Sequence, residues 1–540
     1  MEANASNPFS RWIAGLLFAA LTLGTPLSPA VNGQQASRAS GGEVPSGVQL
    51  LSKNFSQTAA GNSASTTYAV SADERYVAFV SNASDLVPND LNGTYGDIFR
   101  MDRETGQIDL VSMNLAGTGS ANYLSNYPAI SADGRFVAFA SAANDLVSNV
   151  AVPNAVFIRD MQAGVTQAIS VDPQGTLRSA DHVVAMSGDG RYVVFLAWGP
   201  GMLPSSPTSY TSNIYVRDTW LGETKMVSIN RFGTSGGNGN SGYSPSSAVP
   251  AVQISSDGRF VAFISSANDL VKGDWYPGDR LFVRDLVTQT TKMITGAYLG
   301  GQLGLPAGVV ISRNNRYIAY SAIPGYGSQP SNCYQSVLVY DLQTATNTMV
   351  SRSSSGAECS DNESSEPTIS ADGRYVAFTS LASNLIPDTD RNNNFDIYVR
   401  DLQLGITTLV SINRWNNNGG NGKSYDPSIS ADGRFVSFTT LATNLTPLLD
   451  KNQQQDIVLR DLLSGVTKLV SAAGPRSAGN ASSLYSWVSS DGSFVVFNSD
   501  SSDLAGADEN RAFDVYIYGN GPAVMDKPGG AIEASRGSTK

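Results

Sequence analysis

Four segments of the chain carry oxygen-bearing side chains at alternate positions, in the pattern D-x-N-x3-D or one residue longer. They are Asp90-Leu-Asn92…Asp97, Asp390-Arg-Asn392…Asp396, Asp450-Lys-Asn452…Asp456 and Asp508-Glu-Asn510…Asp514. Carboxylates and amides so spaced suit a hard cation, and Ca²⁺ is the one cofactor they point to. An EF-hand does not fit, because its twelfth ligand would be Asp401 or Asp461. Each lies at the far end of a strand, about five residues of ~3.3 Å each from the loop. Asx turns opening a strand are the plainer account of the same residues.

A second group could hold a ligand rather than a metal. Arg231-Phe232, Tyr243, Arg414-Trp415, Tyr425, Tyr485 and Trp487 stand among Gly and Asn, in what read as long connecting loops. Aromatic faces beside amide and carboxylate groups suit a glycan or a peptide, and ordinary loop packing is the bland alternative. Gly233-Thr-Ser235-Gly-Gly237 matches the nucleophile elbow in letters only, since no apolar strand leads into it and no helix pattern follows. His182 is the only histidine, which removes multi-histidine zinc sites and leaves a serine nucleophile without a ready base. Paired carboxylates need no histidine, but the sequence selects no pair.

These groups must be positioned by a repeat. A nonamer recurs as S-A-D-E-R-Y-V-A-F at 71–79, S-A-D-G-R-F-V-A-F at 131–139 and S-G-D-G-R-Y-V-V-F at 187–195. Further copies start at Ser255, Ser312, Ser370, Ser430 and Ser489. The Asp/Asn column runs from Asp73 to Asp491 in seven steps, a period of roughly 60 residues, as in a propeller blade with long loops. Each period adds a D-I-Y-V-R-D type strand and an L-V-S type strand, and a short strand precedes each nonamer. Four antiparallel strands repeated eight times predict an all-β, eight-bladed β-propeller, with seven blades as the alternative. The last repeat stops after Asp514–Tyr518 without a fourth strand, and Val48–Asn54 matches 109–114, so an N-terminal strand should complete the last blade.

The S-x-D-G-R-Y-V-A-F nonamer with D-I-Y-V-x-D resembles the TolB-type propeller repeat of bacterial exported proteins, a WD-repeat-like propeller related to those of prolyl oligopeptidases. The likeness covers about residues 47–520 and implies a fold rather than a function. It departs from TolB itself in having eight repeats where that protein has six.

The repeated Asp-Gly-Arg reads as turn chemistry. Arg75, Arg135, Arg191, Arg259, Arg316, Arg374 and Arg434 should pair with the Asp ending each third strand (Asp102, Asp160, Asp218, Asp285, Asp341, Asp401 and Asp461). The short turns then lie on one face. The long, variable loops lie on the other, where function belongs.

Composition agrees with an exported β protein. Lys+Arg 35 against Asp+Glu 46 gives a net charge of −11, which disfavours nucleic acid and anionic membranes. Arg11, the apolar run Trp12–Leu23 and Ser28-Pro-Ala30 make residues 1–30 an expected signal peptide, too short to span a bilayer. A linker over 31–46, a propeller over 47–520 and a flexible tail over 521–540 complete the expected organisation. Cys333 and Cys359 are the two cysteines, and export favours a disulfide between them. The expected protein is secreted or periplasmic, monomeric and not membrane-inserted. It is a non-catalytic binding or scaffold propeller for a protein, peptide or glycan. The alternative is a secreted carbohydrate-active enzyme using carboxylates in the central pocket.

Overall fold

Runs such as Phe136-Val-Ala-Phe-Ala-Ser141 are β-branched or aromatic at most positions and bounded by Gly, Asp and Ser, so they form strands buried on both faces. A computed structural model describes residues 47–519 except 151, 207–209, 243–251, 275–277, 295–307, 324–332, 357–358, 388–389, 449, 451, 476 and 507. The expected signal peptide, the linker up to residue 46 and the tail lie outside the described residues. Among these residues there are eight four-stranded antiparallel sheets and one small hairpin, Ala472–Gly474 with Ser477–Ala478. The chain is an eight-bladed β-propeller, and the seven-blade alternative is set aside.

Seven blades are built from consecutive strands, as in blade 6: Ser364–Ile369, Tyr375–Ser380, Asp396–Asp401 and Ile406–Leu409. Blade 8 takes Ser483–Val488, Phe494–Ser499 and Asp514–Gly519 from late in the chain and Val48–Leu50 from early in it. The register pairs Val48 with Tyr518 and Leu50 with Tyr516. Ser52 Oγ donates to Asp514 Oδ1 at 2.6 Å, repeating the Ser112–Asp97 bond of blade 1. The blade 8–blade 1 interface is packed like the others, with Phe79 and Phe99 against Val496, Val515 and Ile517.

The nonamer explains how the ring is held. Ser131 Oγ and the N–H of Arg135 both donate to Asp133 Oδ1, and the other nonamers repeat this cap. All seven expected Arg–Asp pairs form, at 2.7–2.9 Å, and the same arginines lie over the neighbouring Tyr or Phe ring at 4.7–5.0 Å. Blade 8 has Ser493 in the arginine column, and Arg103 of blade 1 stacks on its Phe494 instead.

The first turns of the blades also bond to one another in sequence around the axis. Asp73 N donates to Ala132 O, Ala132 N to Gly188 O, Gly188 N to Ser256 O, and Ser256 N to Asn315 Oδ1. Asn314 N then donates to Ala371 O, Ala371 N to Ala431 O, and Ala431 N to Ser490 O. The last link ends on a side chain, as that of Ser256 does on Asn315: Ser490 N donates to the carboxylate of Glu74. Glu74 holds φ +65° in a column where six other blades have glycine, so side-chain closure is obtained at the cost of backbone strain.

Candidate binding site at the propeller axis

The first strand of each blade is innermost, since it edges its own sheet and neighbours the first strands of adjacent blades. This strand slips register near its third residue in six blades, in blade 3 between Val183 and Ala185 and in blades 1, 2, 6, 7 and 8 with a bulged residue at positive φ. The bulged residues are Thr67, Tyr127, Glu366, Asp426 and Tyr485. All five take positive φ, from 35° to 56°, although none is glycine. A left-handed conformation costs an L-residue about 1–2 kcal/mol. Strain of this kind collects where side chains must be presented to a ligand.

Two of the five are acids in adjacent blades. Glu366 Oε2 accepts the Thr379 hydroxyl at 2.7 Å and the backbone N–H of Asp426 at 3.0 Å. Burial first, and then the charge of Glu366, push Asp426 up to about 7. Tyr68 OH donates to the carbonyls of Tyr485 and Val496, the latter at 2.9 Å, which ties blade 1 to the bulge of blade 8. Burial raises the Tyr425 and Tyr485 phenols, and the Asp426 charge raises them further. In blade 3, four blades from Asp426, the His182 ring lies 4.3 Å from Tyr127, and burial pushes its imidazole down to about 4. At the short-turn end, Arg313 of blade 5 donates to Ser490 Oγ of blade 8 at 2.6 Å, which narrows the axial opening there.

The structure redistributes the expected ligand-binding residues. Tyr425, Tyr485 and Trp487 are on innermost strands, Ser424–Ile429 and Ser483–Val488, and not in crossover loops. The bulges break the two-residue alternation there, so the segments look irregular in sequence. Trp487 packs into the blade 8–blade 1 core, 5.9 Å from Phe494. Arg231-Phe232 and Arg414-Trp415 are on crossovers as expected, each guanidinium 4.6 or 4.4 Å from its neighbouring ring. Phe232 and Trp415 are 67% and 58% exposed, too open to be core. Tyr243 lies outside the described residues. Sequence reading missed the tilted ring pair Tyr95–Tyr123, 4.5 Å apart on the same face. The segment from Gly233 to Gly237 closes a turn in which Asn230 N donates to Ser235 O, with no strand-to-helix junction. Cys333 and Cys359 are bonded, with Cα atoms 5.5 Å apart, and join the loop before Ser336–Asp341 to the crossover into blade 6.

The D-x-N-x3-D loops of blades 6, 7 and 8 form Asx turns. Asn392, Asn452 and Asn510 accept the N–H two residues on, and their amides donate across to Gly420 O, Gly479 O and Gly61 O in the adjoining crossover. Asn392 and Asn510 also donate to Asp396 and Asp514. Those two aspartates and Asp456 open third strands and accept a serine hydroxyl from the following strand end. Burial pushes all three, and Asp97 in blade 1, up to about 7. An unfolded aspartate titrates near ~3.9, so between about pH 4 and 7 the folded state binds more protons, and stability falls as pH rises. The Arg-paired aspartates, held low as in Asp341 at about 2, act in the opposite sense and only below about pH 4. Melting temperature should therefore fall from pH 5 to pH 8, and Asp396→Asn should flatten the slope. Asn213 already fills that column in blade 3, accepting Ser228 Oγ at 2.9 Å. A profile that rises over this interval would contradict the assignment.

Among solved structures, the chain is similar to a prolyl endopeptidase at 12% identity, covering 84% of this chain and 55% of that one, with a TM-score of 0.44. It is similar to TolB from Acinetobacter baumannii at 13% identity (74% and 82% covered, TM-score 0.31). An oligogalacturonate lyase from Vibrio parahaemolyticus shares 11% (85% and 98% covered, TM-score 0.42). The likeness is one of fold. The chain spans about half the length of the prolyl endopeptidase. No family model and no curated protein matches it.

Glu366 and Asp426 carried one faint signal in the sequence. Each precedes a proline in the strand ahead of a nonamer, in the column that holds Tyr127 in blade 2. Their meeting could not be read from it, because they are 60 residues apart and come together only through the stacking of two blades.

Proposed function

We propose that the protein is an exported, non-catalytic binding propeller that holds a glycan or peptide over the long-loop mouth of its axis. The observation that carries this reading is the set of five strained residues on innermost strands, which presents a carboxyl pair and tyrosines at the axis of a ring narrowed behind them. Exposed Phe232, Trp415 and the Tyr95–Tyr123 pair extend an aromatic surface on the same face. A planar, hydroxyl-rich or amide-rich ligand gains stacking from these rings and hydrogen bonds from Glu366 and Asp426. The disulfide accords with an oxidising compartment. Glycan and peptide arrays, followed by calorimetry on a hit, test the reading. Tyr485→Ala and Trp415→Ala should each weaken binding about tenfold or more with little change in melting temperature. Unaltered affinity in both variants contradicts it.

One observation favours a second reading, a glycan-cleaving enzyme. Asp426, pushed up to about 7, sits beside a second carboxylate, which is the chemical pairing of a proton donor and a base. Turnover of polysaccharide lost in both Asp426→Asn and Glu366→Gln is what that reading requires.

A further inference from the structure

We infer that the chain beyond Gly519 turns back and docks Val524 and Met525 in the groove between blades 7 and 8. This goes beyond the binding reading and does not depend on it. The inference comes from comparing one place in all eight blades. In seven of them the third strand ends on the Arg-paired aspartate, and the N–H of the next residue donates to that arginine's carbonyl at 2.8–2.9 Å. In five the next residue is Met161, Leu286, Leu342, Leu402 or Leu462, and its side chain packs into the core shared with the preceding blade.

Blade 8 supplies none of this. Ser493 stands in the arginine column and Gly519 in the aspartate column, and the sequence goes on with Asn520 where those five blades have an apolar residue. Among the described residues, the core between blades 7 and 8 has no counterpart of Leu462. A cavity of about 650 Å³ lies there, with Phe435, Leu459 and Val466 of blade 7 on one side and Ser493 and Tyr518 of blade 8 on the other. The equivalent cavity between blades 3 and 4, which Arg259 and Leu286 line, is about 100 Å³.

Gly519 itself lines the groove, so the chain leaves the last blade at its edge. The residues that follow are Asn520-Gly-Pro-Ala-Val524-Met525-Asp526-Lys527. Asn-Gly and Gly-Pro are turn signals, which allow the reversal. Val524 and Met525 are the only adjacent large apolar residues beyond Gly519, and an unbranched methionine adapts to an irregular apolar groove. Lys468, which also lines the groove, gives Asp526 an opposite charge. The chain also enters here, since Gly519 N donates to Gly47 O at 2.8 Å, but residues 40–46 carry one large apolar side chain, Val44. So short a tether presents Val524 and Met525 at about millimolar effective concentration, and the docking need not be tight.

The test is peroxide oxidation of Met525 in the full chain, followed by peptide mass spectrometry, with a synthetic peptide of residues 520–530 as the unprotected reference. Oxidation is expected to be at least about fivefold slower in the protein than in the peptide, as for a methionine held out of solvent. Val524→Asp, which puts a charge into the apolar contact, should return Met525 to the peptide rate. Ser493→Arg should do the same, by restoring the side chain that the other seven blades carry in this column. Met226, 5% exposed in the core between blades 2 and 3, should stay protected throughout and shows that each variant is folded. Oxidation of Met525 at the peptide rate in the parent chain overturns the inference, as does protection that survives either substitution.

Discussion

A chain that begins at Lys53, without Val48–Ser52, is expected to lose its folded monomeric state. Val48, Leu50 and Leu51 are 1–4% exposed, and each buried side chain of this size contributes about 1.5–3 kcal/mol. Their sum, roughly 5–9 kcal/mol, matches the whole net stability of a typical domain, about 5–15 kcal/mol. The deletion also removes the Ser52–Asp514 bond and leaves Val515 N, which Ser52 Oγ had accepted, without its partner. The strand Asp514–Gly519 becomes an open edge of unpaired N–H and C=O groups, which is a template for pairing with another chain. Light scattering coupled to size exclusion should show oligomers or aggregate. A monomer with the parent melting temperature would contradict this.

Gly373→Ala is expected to have the largest effect of the single substitutions, although it adds one methyl group. Gly373 has φ +79°, where an alanine costs about 1 kcal/mol, and its Cβ would lie 2.0 Å from Tyr317 of the preceding blade. Tyr317 has little room to yield, because Arg316 lies over its ring at 4.9 Å while paired with Asp341 at 2.7 Å. Overpacking of this kind adds about 1–3 kcal/mol, for a total of roughly 2–4 kcal/mol. Gly356→Ala is the control. Its φ is +85° with nothing within 4 Å of the added carbon, so only the conformational cost of about 1 kcal/mol remains. The fall in melting temperature should be at least twice as large for Gly373→Ala. Equal effects would show that blade-to-blade packing at this turn matters little.

The fold was legible in the sequence because one local chemistry is used eight times. Ser, Asp, Gly and Arg of the nonamer each perform a task confined to one blade and its neighbour: cap, turn, contact and ion pair. Such tasks fix residue types at fixed spacing. The exceptions were legible only afterwards. Glu74 in a glycine column and Ser493 in the arginine column depart from the repeat. The structure shows the two blades they belong to joined by Glu74–Ser490 and Arg103–Phe494. The axis was less readable, because a bulge erases the alternation that marks a strand, and Tyr425, Tyr485 and Trp487 were placed in loops for that reason. The D-x-N-x3-D loops looked equivalent. Their differences rest on whether the third strand carries a side chain that turns back onto the loop, as Tyr398 does onto Asp390 and Tyr516 onto Asp508, and the D-x-N spacing does not contain that.

The most direct measurement of the account is hydrogen exchange of the Leu51 amide, just beyond the early strand of blade 8. Leu51 N donates to Val515 O at 2.8 Å in a fully buried setting. If early and late strands join to make one closed ring, this amide should exchange as slowly as those of Val495 and Val496 in the same sheet. Exchange at the rate of an unstructured peptide would mean that the ring stands open, and that the axis and its mouth are not held as described.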